Sequence, residues 1–507
     1  MIKSNRYSII FISLIALILC NYNLFAEKKV LRWAADAESG APYVFQDYNN
    51  PDELIGFEVD IIRAIAKELD MEEEHVQNEW DGLVMGLERY DYDLAINGIE
   101  ITADRKEVVN FSEKYYVTYQ QLAVRRDQEG IFSLADLNGK KVGTLDGSLA
   151  ERLLRTHDGI DVRTYDSEVK SYNDLEFERL DAVLIDHPVA LYYAGWHKNL
   201  KLVGQPIGEV SYGIVMRKED TTLLRQINGA IRKLKNSGEL REILEKWNMW
   251  NFMMAKFMGD EGESNVPHSG YLEFIKNHGE ETTFMDMINR YINIMPDLGK
   301  AALKTVGISI LAMILAILVG LMAALTRVYA PKPFSYIAIA FIEIIRGTPL
   351  LIQLYFIFYA LPMIGIKMTP FTAAIIGLGL NYGAYEAENY RAGLFSVPRG
   401  QMEAAISLGM TRGQAIRHII IPQAIRLVIP PVTNDFISLL KDSSLVSVIT
   451  MVELTKEYNR LASIYYDYIG LGIIVAAIYL LIGLPFVRLA GYVERVYAID
   501  KKKMKVQ

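Results

Sequence analysis

The sequence predicts a two-lobed α/β domain followed by an all-α membrane domain. Short apolar strands and amphipathic helices alternate between Val30 and Trp250, the pattern of a mostly parallel sheet covered by helices. After Lys300, apolar runs reach about twenty residues, the length that crosses a bilayer. The 507 residues are 51% apolar yet 22% charged, which fits a soluble part joined to a membrane part.

Composition argues against several other classes of protein. The formal net charge of −8 disfavours nucleic acid as a partner. Cys20 is the single cysteine, so neither a disulfide framework nor a zinc ribbon is expected. The sequence contains no Gly-x-x-x-x-Gly-Lys-Ser/Thr phosphate loop, so we do not expect this chain to bind ATP in the Walker manner. We expect neither a cofactor nor a metal ion.

The N-terminus has the pattern of a secretory signal peptide at 1–26. Basic residues precede an apolar core at Ile9–Leu19, and a cleavage point is predicted after Ala26. An uncleaved membrane anchor is the alternative. A lipoprotein site at Cys20 is disfavoured, because Leu19 stands where a small residue is expected. In each case the segment that follows is expected to be exported.

The sequence of the soluble half predicts two crossings of the chain between its lobes. Glu58–Leu69 has the apolar period of a helix. Leu137–Leu145 opens a second lobe, and the chain is expected to return to the first lobe near Val210–Val215. Two crossings are typical of a binding protein that closes about a hinge, with its ligand at the carboxyl ends of the strands. Buried strands are predicted at Val30–Ala35, Asp93–Asn97 and Asp181–Ile185.

Six motifs occur in order along residues 27–250. They are Gly56-Phe-Glu-Val-Asp60, Trp80-Asp-Gly-Leu83, Asp93-Leu-Ala-Ile-Asn-Gly98, Ile101-Thr-Ala-Asp-Arg105, Phe111-Ser112 and Asp181-Ala-Val-Leu-Ile-Asp186. Their order and spacing resemble the family 3 extracellular solute-binding proteins for polar amino acids. The resemblance implies the type II periplasmic-binding-protein fold and a free amino acid as ligand.

The resemblance also implies roles for individual residues. Arg105 would bind the ligand carboxylate, because its planar fork matches two oxygens. Backbone donors near Ser148 would support it. Asp186 would take the ammonium group, helped by the carbonyl of Gly98. Trp80 would pack on the ligand side chain.

Further positions concern selectivity. Asp36 matches an acid at the pocket rim. Glu100 stands where the family usually has Thr, and Gly40 stands where it often has an aromatic residue. The carboxylates of Asp36, Glu100 and Asp186 would then share the site with a single cationic residue, Arg105. This excess favours a cationic side chain, as in arginine, lysine or ornithine; glutamine, with Glu100 protonated or turned outward, is the alternative.

Residues 251–297 are expected to form a linker with an interfacial helix at Phe284–Met295, followed by a transmembrane domain at 298–507. Basic residues in the Arg391–Arg426 loop and at Lys501–Lys503 predict that both are cytoplasmic. Prolines predict broken helices at Pro349, Pro430 and Pro431. Five spans are predicted, at 301–326, 335–361, 370–392, 427–450 and 468–491.

The segment 403–422 carries a further motif, Glu-Ala-Ala followed by Gly409 and then Ile419-Ile-Ile-Pro422. It resembles the EAA loop of ABC importer permeases, which is a cytoplasmic helix-turn-helix that docks on a separate ATPase subunit. A plain surface hairpin is the alternative. Four flanking motifs resemble the polar amino-acid branch of these permeases, at Arg346–Gln353, Ala384–Gly393, Ser396–Gln401 and Leu440–Ser447. The implied coupling residues are Glu403, Ala404, Ala405, Gly409 and Pro422.

Together these resemblances predict a fused substrate-binding and permease subunit of an ATP-driven importer for polar amino acids. It would not itself be an enzyme. The implied location is the bacterial inner membrane, with the binding domain on the periplasmic or extracellular side. Implied partners are a separate, dimeric ABC ATPase and a second permease domain, in a homodimer or a heterodimer.

Two alternatives use the same binding fold, a ligand-gated ion channel and an amino-acid sensor. Thr305-Val-Gly-Ile-Ser309 is superficially similar to a potassium filter. It opens a long apolar helix, however, and the pore region does not split the binding domain.

Overall fold

The computed structural model describes residues 29–38, 40–165, 167–262, 266–279 and 283–497. The predicted signal peptide and the lysines at 501–503 lie outside these residues. The chain divides into two units, residues 1–45 with 54–273 and residues 46–53 with 274–507. Each unit has its own apolar cores.

The first unit contains two five-stranded sheets. In chain order the strands of the described chain are β1 Val30–Ala35, β2 Phe45–Gln46, β3 Leu54–Ile55, β4 Glu72–Gln77, β5 Leu94–Ala95, β6 Asn110–Phe111, β7 Tyr116–Arg125, β8 Lys141–Leu145, β9 Asp161–Tyr165, β10 Ala182–Asp186, β11 Leu200–Tyr212 and β12 Val215–Met216. The sheet orders are β4-β1-β5-β12-β6 and β11-β7-β10-β8-β9. The chain passes from β6 to β7 and returns from β11 to β12, so the two predicted crossings are present. The second lobe begins at β7, however, and not at Leu137 as expected.

Parallel pairing brings the site residues to one edge of each sheet. In the first sheet, β1 lies between β4 and β5 and is parallel to both, with Trp33 opposite His75 and Leu94. In the second, β8 is parallel to β10 and to β9. Asp36 directly follows β1, and Asp186 ends β10. These carboxyl ends are where ligands of open α/β sheets bind.

Helices cover the sheets as the sequence period predicts. The predicted helix Glu58–Leu69 is observed at Phe57–Glu68, and its apolar face is buried. The predicted strand Asp93–Asn97 is shorter, at β5. Up to the start of the membrane region the helices of the described chain are α1 Phe57–Glu68, α2 Leu83–Glu88, α3 Ala103–Val108, α4 Leu149–Arg155, α5 Glu168–Glu176, α6 His187–Tyr193, α7 Thr221–Ser237, α8 Glu239–Lys246, α9 Phe252–Met258 and α10 Ser269–Gly279.

The rest of the described chain is helical. Its α-helices are α11 Phe284–Tyr329, α12 Lys332–Gly347, α13 Leu350–Tyr355, α14 Pro370–Ser396, α15 Arg399–Ser407, α16 Arg412–Ala415, α17 Ile421–Asp442, α18 Leu454–Tyr465 and α19 Tyr468–Tyr497. Shorter π and 3₁₀ turns lie at Phe356–Ala360, Leu361–Ile364, Ile416–Ile420 and Ser443–Ile449.

The predicted linker is more regular than expected. It contains α9 and α10, and α11 begins at Phe284, where Thr283 and Asp286 form a capping box. This helix runs unbroken through Pro296 to Tyr329 for 46 residues, about 69 Å at 1.5 Å per residue. The predicted interfacial helix and first span are therefore one helix, and the expected boundary at 297 falls inside it.

The predicted number of apolar spans needs a correction. Among the described residues, three helices are long and apolar enough to cross a membrane, at Phe284–Tyr329, Arg412–Ile449 and Tyr468–Tyr492. The pair Lys332–Gly347 and Leu350–Ile364, bent by 110°, makes a fourth if it is one span. The expected span at 370–392 corresponds to α14, which has the length but is not sufficiently apolar.

Burial explains the low hydropathy of α14. Its polar residues Asn381 and Glu386 are 6% and 0% exposed, so they face protein, as polar groups in membrane helices do. Its glycines allow close packing on α11: a Cβ at Gly379 would lie 2.6 Å from Leu315. Small residues commonly permit such close approach between membrane helices.

The prolines behave in two ways. At Pro349 the chain breaks between α12 and α13, so the prediction there is confirmed. Pro430 and Pro431 lie inside the continuous helix α17, so the predicted break there is wrong. Proline's fixed φ is compatible with a helix, and membrane proteins tolerate the lost backbone hydrogen bonds where neighbours compensate.

Candidate binding site

A cleft of about 100 Å³ lies between the two lobes of the first unit. The first lobe contributes side chains that follow β1, β4 and β5. The second lobe contributes the ends of β8 and β9 and the starts of α5 and α6. The lining residues are Asp36, Tyr43, Glu79, Trp80, Asn97, Leu145, Asp146, Tyr165, Glu168 and Val189.

Asp36 organises the wall of the first lobe. Its carboxylate accepts the Trp80 backbone N–H at 3.1 Å and the Gln77 amide at 3.0 Å, and the residue is 5% exposed. Trp80 also donates its indole N–H to the carbonyl of Asn97 at 3.3 Å. The ring of Trp80 is therefore fixed at the cleft by contacts from two strand ends.

Gly98 requires glycine on geometric grounds. Its φ is +60°, and a Cβ there would lie 2.9 Å from the ring of Tyr43. Its N–H donates to buried Glu58 at 2.8 Å, which also accepts a hydrogen bond from Tyr115. Burial raises the pKa of Glu58 to about 8, so this carboxyl is largely protonated at neutral pH.

Gly40 also has a steric reason to lack a side chain. A Cβ would lie 1.9 Å from the carbonyl oxygen of Val44, so an aromatic residue does not fit this turn. Tyr43, which is 6% exposed, lines the cleft in the same loop. It supplies an aromatic ring in the turn that follows Gly40.

Arg105 and Glu100 form an ion pair. Arg105 Nη1 lies 2.7 Å from Glu100 Oε2 and also donates to the Glu100 carbonyl at 3.2 Å. Glu100 Oε1 accepts the N–H of Leu149 from the second lobe at 2.9 Å. The guanidinium carbon of Arg105 lies 5.2 Å from the centre of the Trp80 ring, within reach of a cation–π contact.

Ser148 is used within the protein as a helix cap. Its hydroxyl accepts the N–H of Glu151 at 3.1 Å and donates to the carbonyl of Leu145 at 2.7 Å. The residue is 6% exposed. Ser148 therefore sets the start of α4 beside the Glu100 carboxylate.

Asp186 lies behind the cleft surface. Its carboxylate accepts the Gln120 amide at 2.5 Å and the hydroxyl of Tyr212. Tyr212 in turn contacts the hydroxyl of cleft-lining Tyr43 at 2.9 Å. Burial, and then the charge of Glu100, raise the pKa of Asp186 to about 7. Asp186 is therefore connected to the cleft through two tyrosine hydroxyls.

In the second unit, the segment 403–422 is a pair of helices around a turn. Helix α15 ends at Ser407, and α16 begins at Arg412 with a capping box between Thr411 and Gln414. Gly409, at φ +85°, makes the turn between them. Left-handed φ values of this kind favour glycine.

The two faces of this segment differ. Ala405 is buried, whereas Glu403, Ala404 and Pro422 are exposed. Leu408, next to the turn, is 85% exposed. Val397, Ile420 and Ala424 form a small buried cluster against which Met402 packs. The segment is thus anchored on one side and presents an acid and apolar side chains on the other.

Two family models match this chain. Residues 31–249 match the bacterial extracellular solute-binding proteins, family 3, and residues 316–498 match the binding-protein-dependent transport system inner membrane component. The chain belongs to the amino-acid ABC importers. The importer is a solute-binding protein fused to a permease, as predicted. A channel or a sensor is not favoured, because both matches are components of transporters.

Named relatives of the importer match either half. The L-cystine transport system permease protein TcyB of Bacillus subtilis (strain 168) is 40% identical over 33% of this chain and 72% of its own length. The glutamine transport system permease protein GlnP of Escherichia coli (strain K12) is 36% identical over 40% and 93%. The L-cystine-binding protein TcyJ of Escherichia coli (strain K12) is 35% identical over 41% and 78%. Among solved structures, an ancestral arginine-binding protein bound to glutamine is 34% identical over 44% of this chain and 99% of that one, with a TM-score of 0.42.

Sequence reasoning missed several residues of the importer's cleft. Glu79, Asp146 and Glu168 line it, and Glu168 is only 2% exposed, with its carboxylate accepting the hydroxyl of Tyr193 at 3.3 Å. Asp146 directly follows β8, so the rule that ligands bind at strand ends could have identified it. Glu168 opens a helix, and no feature of the sequence distinguishes it from a surface acid.

Proposed function

We propose that this importer carries cationic amino acids. The observation that supports this most directly is the charge of the cleft. Its lining includes Asp36, Glu79, Asp146 and Glu168, and none of the lining residues that the structure describes is Lys or Arg. A cleft lined by one sign of charge raises the local concentration of ligands of the opposite sign.

The basis of this selectivity differs from the sequence-based expectation. Glu100 was expected to add an unmatched charge to the cleft, but it is paired with Arg105 at 2.7 Å. The first turn of α3 carries the Arg105 side chain back towards Glu100. The negative charge of the cleft lining comes from four other carboxylates, those of Asp36, Glu79, Asp146 and Glu168.

Within the cleft we assign ligand groups by chemistry. The side-chain cation is assigned to Asp36 and its neighbours, and the α-ammonium group to Asp186 and the Gly98 carbonyl. Trp80 would pack on the carbon chain. The α-carboxylate is assigned to Arg105 and the backbone donors near Ser148, a position where Glu100 competes with it.

We further propose that ATP is hydrolysed on a separate, dimeric ATPase that docks on 403–422. The exposed Glu403 and Leu408 would contact it. Arg399, Arg412 and Arg417 favour a cytoplasmic location for this segment, which would place the binding domain on the periplasmic or extracellular side. A second permease domain, identical or homologous, would complete the pathway.

Ligand titration of the full chain in nanodiscs tests the substrate. All five tryptophans lie between Trp33 and Trp250, so tryptophan fluorescence reports on the binding unit alone. With Trp80 in the cleft, we expect arginine, lysine and ornithine to bind more tightly than the other amino acids. Tighter binding of glutamine, glutamate or cystine would overturn the cationic proposal.

A further inference from the structure

The carboxylate of Glu100 is bound from both lobes. It is 3% exposed, with Oε2 on Arg105 at 2.7 Å and Oε1 on the Leu149 N–H at 2.9 Å. Arg105 belongs to the first lobe and Leu149 to the second. A carboxylate that is part of the protein therefore joins the two lobes at the edge of the cleft.

These donors are the ones assigned above to a ligand carboxylate. Arg105 Nη1 donates both to the Glu100 side chain and to the Glu100 carbonyl. Its Nη2 lies 3.5 Å from the carbonyl of Gly147. A ligand carboxylate would have to displace Glu100 or share the guanidinium with it, close to a second negative charge.

Because Glu100 offsets the charge of Arg105, little net attraction for a ligand carboxylate remains. The cleft lining is acidic as well, so a carboxylate is opposed from both sides. The cationic groups of a ligand, by contrast, face a lining of their opposite charge. The energetic advantage that an amino acid normally has over the corresponding amine should therefore be small here.

We propose that Glu100 replaces the ligand carboxylate, so that the cleft accepts organic cations that lack an α-carboxylate. The substrate class would include diamines and guanidinoamines as well as cationic amino acids. This inference rests on the proposed function and extends its substrate range. Glu100 is then the residue that determines whether a carboxylate is required.

The test uses ligand pairs that differ only by the carboxylate: arginine with agmatine, lysine with cadaverine, and glutamine with 4-aminobutanamide. Each is titrated calorimetrically into the full chain in nanodiscs. In the wild type, we expect the dissociation constants of the two members of a bound pair to differ by less than about threefold. In Glu100→Thr, Arg105 is released from its ion pair. The affinity for arginine relative to that for agmatine should then rise by at least about tenfold.

Two further variants control for folding and for lobe closure. Glu100→Gln keeps the shape and the acceptor oxygen but removes the charge. It should therefore also raise the affinity for arginine relative to that for agmatine. Asp104 and Arg152 form another pair between the lobes, at 3.2 Å, and the Asp104 side chain is 86% exposed. Asp104→Asn should change the affinities for both members of a ligand pair by the same factor.

The outcomes separate this inference from the proposed function. A wild-type preference for arginine over agmatine of about a hundredfold or more, unchanged in Glu100→Thr, would overturn the role of Glu100. If glutamine and 4-aminobutanamide bind while the cationic pairs do not, the cationic proposal fails. In that case the relative affinities for glutamine and 4-aminobutanamide still decide whether Glu100 replaces the ligand carboxylate.

Discussion

At the scale of single residues, the neighbours of each carboxylate decide its chemistry. Glu100 has a guanidinium at 2.7 Å and is part of a neutral pair. Within the part of the chain that the structure describes, the donors to Asp186 are neutral, namely the amide of Gln120 and the hydroxyl of Tyr212. Burial raises its pKa to about 7. Two acids that look equivalent in the sequence therefore behave differently.

The raised pKa of Asp186 predicts a pH dependence of binding. With the ligand ammonium on Asp186, as proposed, the ionised carboxylate is favoured, so binding below pH 7 should release a proton from Asp186. The affinity of arginine should fall as the pH drops from 8 to 6, by at most about tenfold per unit below the pKa. Titrations in buffers of different ionisation enthalpy would detect the released proton.

Asp186→Asn is the matched control for this dependence. The amide keeps the shape of the side chain but does not titrate in this range, so the proton release should disappear even if binding is weaker. An unchanged pH profile in this variant would assign the titration to another group.

At the scale of elements, period and motif spacing predicted most of the fold. The alternation of strands and helices, the two crossings and the break at Pro349 follow from local pattern. The contact of Glu100 with Leu149 does not, because it depends on how the two lobes meet. Hydropathy also underestimates α14, whose Asn381 and Glu386 are buried by neighbouring helices.

The turn at Gly409 gives a prediction about coupling. No heavy atom beyond its chain neighbours lies within 4 Å of a Cβ placed there, so a side chain can begin at this position without a clash. Gly409→Leu should abolish ATP-driven uptake while ligand binding, measured by tryptophan fluorescence, is kept. Loss of both together would indicate unfolding, and unchanged uptake would exclude a docking role.

Two smaller substitutions separate bulk from backbone strain at this turn. Asn tolerates the left-handed conformation whereas Ala costs about 1–2 kcal/mol there. If docking is blocked by bulk, Gly409→Asn should impair uptake more than Gly409→Ala. The reverse order would assign the defect to the turn itself.

At the scale of the whole molecule, one chain contains both the binding unit and the permease. The sequence predicted this organisation because the two parts differ in hydropathy and carry separate family motifs. A covalent link makes the encounter of the binding unit with its permease intramolecular, which raises the effective concentration of the binding unit. A soluble binding protein of this family would have to reach the permease by diffusion.

The fusion predicts that transport by this importer needs no separate binding protein. Proteoliposomes that contain the chain and the ATPase that co-purifies with it should accumulate labelled arginine when ATP is supplied on the ATPase side. Uptake should need no added soluble binding protein, because the binding unit is already attached. Arginine alone should evoke no current across a planar bilayer, since a transporter moves its ligand only with ATP. A dependence on added binding protein, or a ligand-evoked current without ATP, would contradict this account.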